Sequence, residues 1–441
     1  MSEPQSSGAK KPNGSTKRIL VLVPHDPDLD PRIAWSLSLC RRIAKTDVLA
    51  TTWSTKKPVK EYDGVVSVER IEATVYASPL IVKISAALGR LDARRSAREF
   101  KEREGKPPTT SLARAQHHAG AAFRLAAAWG YYAIIVSALH RRGRAVSIPP
   151  KLILCHDIYA LLPGAALKRR FGARLVYDTH EYFPESDLLA PRWQQRLTTA
   201  VERRFIRHAD AVITVSPLLA NELQRVYRLR RVISVPNAEP FPPSSPAPRP
   251  RDEGAPVRFL LQGQASPGRG IDRLFELWED LDDDRAVLLV RTPDGDYPRE
   301  LRERFASLFD SERAHWLPAV SERELVTAAR SAHVGVIPYV GPSKNHLYAS
   351  PNKLSQYMLA GLAILSNDLP YISSLISSYE CGVTYNADDE VSLRRAVDRL
   401  VSDPESLQTM RERAFLAAKR EFNWQTVGRD YEAVIADLFA S

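Results

Sequence analysis

Short apolar runs recur along this chain, and between them apolar side chains fall three and four positions apart on otherwise charged stretches. Apolar runs bounded by turn formers predict buried strands, and the three-and-four spacing predicts amphipathic helices. In the first half, strands are expected at Arg18–Pro24, Asp47–Trp53, Lys151–Asp157, Ala173–His180, Ala211–Ser216 and Val232–Pro236. Helices are expected between most of them, as at Pro31–Lys45 and Trp193–Arg207. This alternation builds a doubly wound parallel sheet. It stops at Glu239–Arg251, where nearly half the residues are proline and a semi-rigid connection is expected. It resumes at Val257, with strands at Arg258–Gln262, Ala286–Val290, His315–Pro318, Val334–Tyr339 and Leu362–Ser366. Helices Glu322–Ala332 and Leu393–Val401 are expected among these. The expectation is α/β: two Rossmann-like doubly wound domains, 17–238 and 257–421, joined by a hinge at 239–256.

Residues 76–150 break the rhythm and read as an insertion. Leu80–Glu104 predicts a basic helix, and Ala113–His140 a long helix with a largely apolar run from Ala126 to Leu139. That run is about 14 residues, short of the ~20 needed to span a bilayer. Flanked by Arg124, Arg141, Arg142 and Arg144, it fits either a buried hairpin of the first domain or an interfacial helix that prefers anionic lipid. Residues 1–16, rich in Ser, Gly, Lys and Pro, predict a disordered tail.

A chain of 441 residues needs two cores, and its 44% apolar and 26% charged content is that of a globular protein. Cys40, Cys155 and Cys381 lie far apart without metal-ligand spacing, and no signal peptide is evident, so a reducing cytoplasm is expected. The net charge of +10 points to an anionic partner or simply to solubility. Nucleic acid is disfavoured, because the basic residues are spread out and lack interleaved aromatic platforms.

The candidate chemistry sits at predicted strand ends. In His25–Arg32, Asp30 is a good N-cap and Pro31 a good first helical residue. The stretch Arg174–Glu185 places His180 and Glu181 at a strand tip, and His156-Asp157 ends the preceding strand. Leu260–Ile271 reads as strand, Gly-rich loop and helix start, a pattern whose backbone N–H groups can cradle phosphate. In Ser350–Pro370 a short helix from Asn352 to Ala360 is stopped by Gly361 and followed by a buried strand. Its N-terminus, with Asn352, Lys353 and Gln356, points to the carboxyl edge of a sheet, where anions bind.

Taken together, these segments resemble the retaining glycosyltransferases of the GT-B fold, the group 1 or family-four type, over residues 17 to 435 apart from the insertion. The resemblance rests on P-N-K-x5-L-A-G at 351–361, Y-D-T-H-E at 177–181 and the Gly-rich turn. It implies a cleft between the two domains and a last helix, 422–441, that crosses back to the first. It implies that His180 contacts the donor sugar at the reaction centre, with Asp30, Arg32 and Glu181 in a loop near acceptor and phosphate. Gly263, Gln264, Arg269, Asn352, Lys353 and Gln356 would bind the donor, Arg269 and Lys353 at its diphosphate. The implied reaction moves a sugar from a nucleotide-sugar donor to a lipid-linked or polysaccharide acceptor with retention, at the inner face of the cell membrane. No cofactor and no dedicated metal site are expected; Asp282-Asp-Asp284 reads as a solvated turn.

Departures from the family pattern stand out. Ser355 and Gln356 replace the usual Phe and Glu, Ala363 the usual Pro, and Gln264 a frequent Arg, while Tyr348 stands where many members carry a further Glu. The family's Glu at position 356 binds ribose hydroxyls. A neutral amide there is expected to cost about 1 kcal/mol of donor binding, and Gln356→Glu to keep or tighten it. Asn345 or main chain is the expected source of the missing sugar contact. Two rivals follow: a catalytically silent nucleotide-sugar-binding or scaffold protein, and a GT-B-fold epimerase.

Overall fold

The computed structural model describes residues 17–52, 60–76, 111–186, 191–281, 284–340 and 343–441. The expected tail at 1–16 and the expected basic helix Leu80–Glu104 lie outside the described residues.

Two sheets dominate. The first holds β1 (Arg18–Val23), β2 (Lys45–Thr52), β3 (Lys60–Tyr62), β4 (Val66–Glu72), β5 (Pro150–His156), β6 (Arg174–Thr179), β7 (Ala211–Thr214) and β8 (Val232–Ser234). Their order is β3-β4-β2-β1-β5-β6-β7-β8, and every neighbouring pair is parallel except β3 with β4. The second sheet holds β9 (Val257–Gln262), β10 (Ala286–Arg291), β11 (Ala314–Trp316), β12 (Val334–Ile337), β13 (Ala363–Asn367) and β14 (Gly382–Tyr385). It is wholly parallel, in the order β11-β10-β9-β12-β13-β14. Both sheets reverse direction of winding at an inner strand, between β1 and β5 and between β9 and β12. Ligands of doubly wound sheets bind beyond the strand ends at such points.

The inner strands are apolar on both faces because helices cover both. Ile19, Val21 and Leu154 pack on one side, and Leu20, Leu22 and Ile153 on the other. The C-terminal helix Trp424–Ala440 belongs to the first of these cores, where Tyr431, Val434, Ile435 and Leu438 pack with Ile19 and Val21. Its indole Trp424 Nε1–H donates to the carbonyl of Trp35 at 3.0 Å. In the insertion, the helix is longer than expected, Ser111–Arg144. Ile134, Ile135, Ala138 and Leu139 are buried, the last three in the core on the other face of the first sheet with Leu20 and Leu22, and Tyr132 stacks on Tyr159 with ring centres 3.4 Å apart. No helix among the described residues is long and apolar enough to cross a membrane.

The Pro-rich segment is tied to the second unit. Arg330 donates to the carbonyl of Pro246 at 2.6 Å and to Ser245 Oγ at 3.0 Å, and Arg411 to the carbonyl of Arg249 at 2.8 Å. The expected helix Glu322–Ala332 is instead a 3₁₀ turn, Glu322–Glu324, followed by a short helix, Leu325–Ala329. Ser321 and Glu324 close a capping box around that turn.

Behind β6, fully buried Glu202 accepts hydrogen bonds from Tyr177 and Tyr227. Burial outweighs those bonds and pushes its carboxyl from 4.5 up to about 7. Between these two pH values the unfolded chain has released a proton that the folded chain keeps. Stability is therefore expected to fall as pH rises from 4.5 to 7, by an amount of order 3 kcal/mol. Glu202→Gln should remove that slope, which urea unfolding at pH 5 and pH 8 would measure.

Candidate active site

The N-terminal wall of the cleft is built where β1, β5 and β6 end. Parallel pairing sets His156 opposite Asp178, so an imidazole and a carboxylate lie side by side. Asp178 is fully buried and held from two sides. Arg32, also fully buried, donates from Nη2 to Oδ1 at 2.8 Å and from Nε to Oδ2 at 3.0 Å, and Tyr431 donates to Oδ2 at 3.1 Å. The remaining Arg32 nitrogen, Nη1, donates to the carbonyl of Val235 and to Asn237 Oδ1, both at 2.9 Å. Arg32 therefore does not reach the cleft. The phosphate-loop role expected for it gives way to a structural one, because every guanidinium nitrogen is already bonded inside the protein.

His180 follows β6. Its Nδ1 lies 2.9 Å from Asp30 and 3.8 Å from Asp157, and its Nε2 lies 3.2 Å from His156 Nδ1. Burial works against a charge on this ring, but the carboxylates of Asp157 and Asp30 outweigh it and hold the imidazolium well above its usual range. Burial lowers His156 and keeps it neutral. His156 Nδ1 also lies 3.4 Å from Asp178 Oδ2, and His156 Nε2 lies 3.3 Å from Ser36 Oγ. Asp30, which caps the helix Pro31–Ile43, is held low by His180 against the opposing effect of burial. Asp157 opens its helix with φ of 61°, a left-handed conformation that Asp tolerates better than most residues. This sharp strand-to-helix turn brings its carboxylate to the His180 backbone N–H at 3.4 Å. Among the described residues, His156, Asp178 and His180 have donor atoms within 4.8 Å of one another, as a metal site would. The hydrogen bonds just described already engage those atoms.

The C-terminal wall is positively charged. The turn after β9 contains Gly263 with φ of 102° and Gly270 with φ of 73°. A Cβ at Gly270 would lie 2.1 Å from the carbonyl oxygen of Pro338, so only glycine lets this turn close against the end of β12. Arg269 is thereby set over the ring of Tyr339, 5.3 Å from its centre, and Lys353 lies over the same ring at 5.4 Å. Neither cation has a carboxylate within ion-pair distance among the described residues. Burial, and secondarily Arg269, lowers the Lys353 ammonium to about 7. Lys353 is in the first turn of the helix Asn352–Ala360, whose N-terminal N–H groups add to the positive field. Asn352 Oδ1 is buried without a partner.

The short segment after β12 ties the walls together. Asn345 Nδ2 donates to Glu181 at 2.9 Å, and Asn345 Oδ1 accepts from the backbone N–H of Tyr182 at 2.9 Å. Lys344 Nζ donates to Glu222 at 2.8 Å. Asn345, named with main chain as the expected source of the sugar contact, lines the cleft and also spans the two units. Burial, then Asp157, raises the Glu181 carboxyl.

Of the residues singled out by sequence, His180, Glu181, Gly263, Gln264, Arg269, Asn352, Lys353 and Gln356 line one cleft of about 330 Å³. Asp30 stands behind His180. Gln356 differs from expectation: its Nε2 donates to Glu322 Oε1 at 2.9 Å and to Glu239 Oε1 at 3.3 Å. An added carboxylate at position 356 would face two others. Gln356→Glu is therefore expected to weaken the site, which reverses the sequence-based expectation. Sequence reasoning missed Tyr339, Glu239 and Glu322; the Ser-x-x-Glu signature at 321–324 was the one local signal for the turn that carries Glu322.

Two family profiles match the chain in order. "Glycosyl transferase 4-like domain" covers residues 68–238 and "Glycosyl transferases group 1" covers residues 249–416. A search of curated protein sequences finds no match. Among solved structures, sucrose-phosphate synthase from Thermosynechococcus elongatus superposes with a TM-score of 0.69 at 16% identity, covering 96% of this chain and 99% of that one. An α,α-trehalose-phosphate synthase (UDP-forming) from Burkholderia vietnamiensis gives 0.65 at 15%, covering 96% and 100%. Anabaena HepE in complex with UDP and glucose gives 0.61 at 14%, covering 96% and 100%. At these identities the structures speak for the fold. With two profiles spanning most of the chain and two facing Rossmann-like sheets, the chain belongs to the group 1 glycosyltransferases of the GT-B fold.

Proposed function

We propose that the protein transfers a sugar from a nucleotide-sugar donor to a lipid-linked or polysaccharide acceptor, with retention at the anomeric carbon. The observation that carries this reading is the opposed charge of the two cleft walls. Arg269 and Lys353, stacked on Tyr339 without carboxylate partners, fit a diphosphate. Facing them, Glu181 lines the cleft, with Asp30 and Asp157 around His180 behind it. When the glycosyl–phosphate bond breaks, negative charge grows on the diphosphate and positive charge on the sugar ring, and the two walls match those poles. Fixed charges aimed at developing ones lower a barrier without reorganisation. The two cations and the helix N-terminus supply what a metal would otherwise supply to the leaving group.

Retention agrees with the state of the acids. Asp30 and Asp157 are committed to His180, and both ring nitrogens of His180 are bonded within the protein, which leaves the histidine no free position to act as a base. The leaving phosphate is then the group that takes the acceptor proton on the same face. HepE, of like fold, is a complex with UDP and glucose, and a nucleotide sugar of that kind is the first donor to test. Thermal screening with UDP-, GDP- and ADP-sugars at about a hundred times the dissociation constant should stabilise the protein by about 2.7 kcal/mol. Proton NMR couplings of the product from an α-linked donor should then show an α linkage. A β linkage would reject retention and make Glu181, with its raised carboxyl, the base.

We also place the acceptor side at an anionic membrane surface. The net charge of +10 and the half-exposed Trp129 on the insertion helix support this. Co-sedimentation with vesicles should rise with anionic lipid and fall with salt; indifference to both would remove the membrane from the reading.

A further inference from the structure

The C-terminal helix Trp424–Ala440 reaches the reaction centre through one side chain. Tyr431 is fully buried, and its hydroxyl donates to Asp178 Oδ2 at 3.1 Å. Burial, then the Asp178 carboxylate, holds the phenol well above its usual range, so it stays the donor in this bond. Arg32 Nε donates to the same oxygen at 3.0 Å. A carboxylate oxygen offers about two lone-pair sites, and these two close donors fill them. The imidazoles stand farther off, His156 Nδ1 at 3.4 Å and His180 Nε2 at 3.6 Å. His180 Nε2 is left with His156 Nδ1, at 3.2 Å, as the nearer neighbour. Arg32 already spans both oxygens of Asp178, with Oδ1 at 2.8 Å from Nη2. Pairing the buried carboxylate therefore does not need the tyrosine, whose hydroxyl sits on the oxygen that faces the two histidines.

We infer that Tyr431 is a positioning residue for His180: by occupying Asp178 Oδ2, it keeps that carboxylate from drawing the imidazole away from its place between Asp30 and His156. The two contacts that define this place are His180 Nδ1 to Asp30 at 2.9 Å and Nε2 to His156 Nδ1 at 3.2 Å. The inference rests on the reading of this cleft as a glycosyl-transfer site with His180 at the sugar. It gives the helix that the chain enters after leaving the second unit a part in the chemistry of the first.

Asp178→Asn would leave Arg32 charged and unpaired in the interior, so its effects would mix folding with function. Tyr431→Phe removes only the hydroxyl and keeps the ring beside the Arg32 guanidinium, which lies 5.8 Å from its centre. Turnover of the UDP-, GDP- or ADP-sugar selected by the thermal screen should fall about threefold to tenfold, the range of one hydrogen bond, while donor Kd changes by less than about twofold. In full-length protein carrying isotope-labelled histidine, the ring-nitrogen NMR signals of His180 and His156, assigned with His180→Gln, should shift in Tyr431→Phe. Val434→Ala is the control, because Val434 packs in the core from the same helix. It should lower the unfolding midpoint, leave turnover within about twofold of wild type and leave both histidine signals in place. Histidine signals that stay put in Tyr431→Phe, turnover that does not fall, or equal changes in the two variants would overturn the positioning role. The signals are read on the free protein, so they decide this inference even if no donor is turned over, a result that would overturn the functional reading instead.

Discussion

Arg269→Ala is expected to weaken nucleoside diphosphate binding by about tenfold to a hundredfold, and Lys353→Ala by a similar factor, while each changes binding of the bare nucleoside by less than about threefold. A charge-assisted hydrogen bond to phosphate contributes about 1.5–3 kcal/mol, and neither cation has a protein anion to fall back on. Lys353 adds a pH signature. Its ammonium sits at about 7 in the free protein against an ordinary 10.5. In that window the unfolded chain keeps a proton that the folded chain lacks, so this group's contribution to stability grows as pH rises from 7 to 10.5. A bound diphosphate restores the charge. Binding above pH 7 should therefore take up a proton, and affinity should fall by up to about tenfold per pH unit as the buffer is raised from 7 toward 9. Calorimetry in two buffers of different ionisation enthalpy reads that proton directly, and Lys353→Met should abolish it. Equal losses for nucleoside and diphosphate would remove the anion site from this wall.

His180→Ala should lower turnover by about a hundredfold to a thousandfold with a much smaller change in donor affinity. The imidazolium is the cation between Asp30 and Asp157, 2.9 and 3.8 Å away. Without it, two carboxylates share a buried corner and His156 loses its partner. The field at the sugar end is then misplaced, while the diphosphate contacts on the opposite wall are untouched. Single-turnover rates separate chemistry from binding. Equal damage to kcat and to donor Kd would make His180 a binding residue, and unchanged turnover would remove it from the reacting centre.

Much of this was legible before folding, for definite reasons. The inner strands are apolar on both faces and most are followed by Gly, Asp or Pro, so β1, β5, β6, β9, β12 and β13 could be read within a residue or two. Strands β3 and β4 were not: Lys60–Tyr62 is three exposed residues, and Val66–Glu72 carries Glu69 and Arg70 among its apolar positions. The Gly-rich turn and the Asn352 helix were visible because their chemistry is local. Arg32 was misread because its partner, Asp178, lies 146 positions away, and a buried ion pair looks in sequence like any Arg after a loop. The partners of Gln356 went unseen for the same reason, since Glu322 and Glu239 are 34 and 117 residues distant. A local pattern shows which residue types a segment offers, and long-range packing decides which are already spoken for.

The Pro-rich segment, laced to the second unit by Arg330 and Arg411, does not behave as a tether. The chain passes between the units there and again before the final helix, and the two passages are joined. Trp424 N–H donates to the carbonyl of Glu239 at 3.2 Å, and the Gln425 amide bonds both the N–H and the carbonyl of Phe241, at 3.0 and 3.3 Å. Two crossings fastened side by side restrain the passage between the units more than a single connection would. Glu239 belongs to that paired crossing and also touches Gln356 in the cleft, so the crossing and the cleft share one residue.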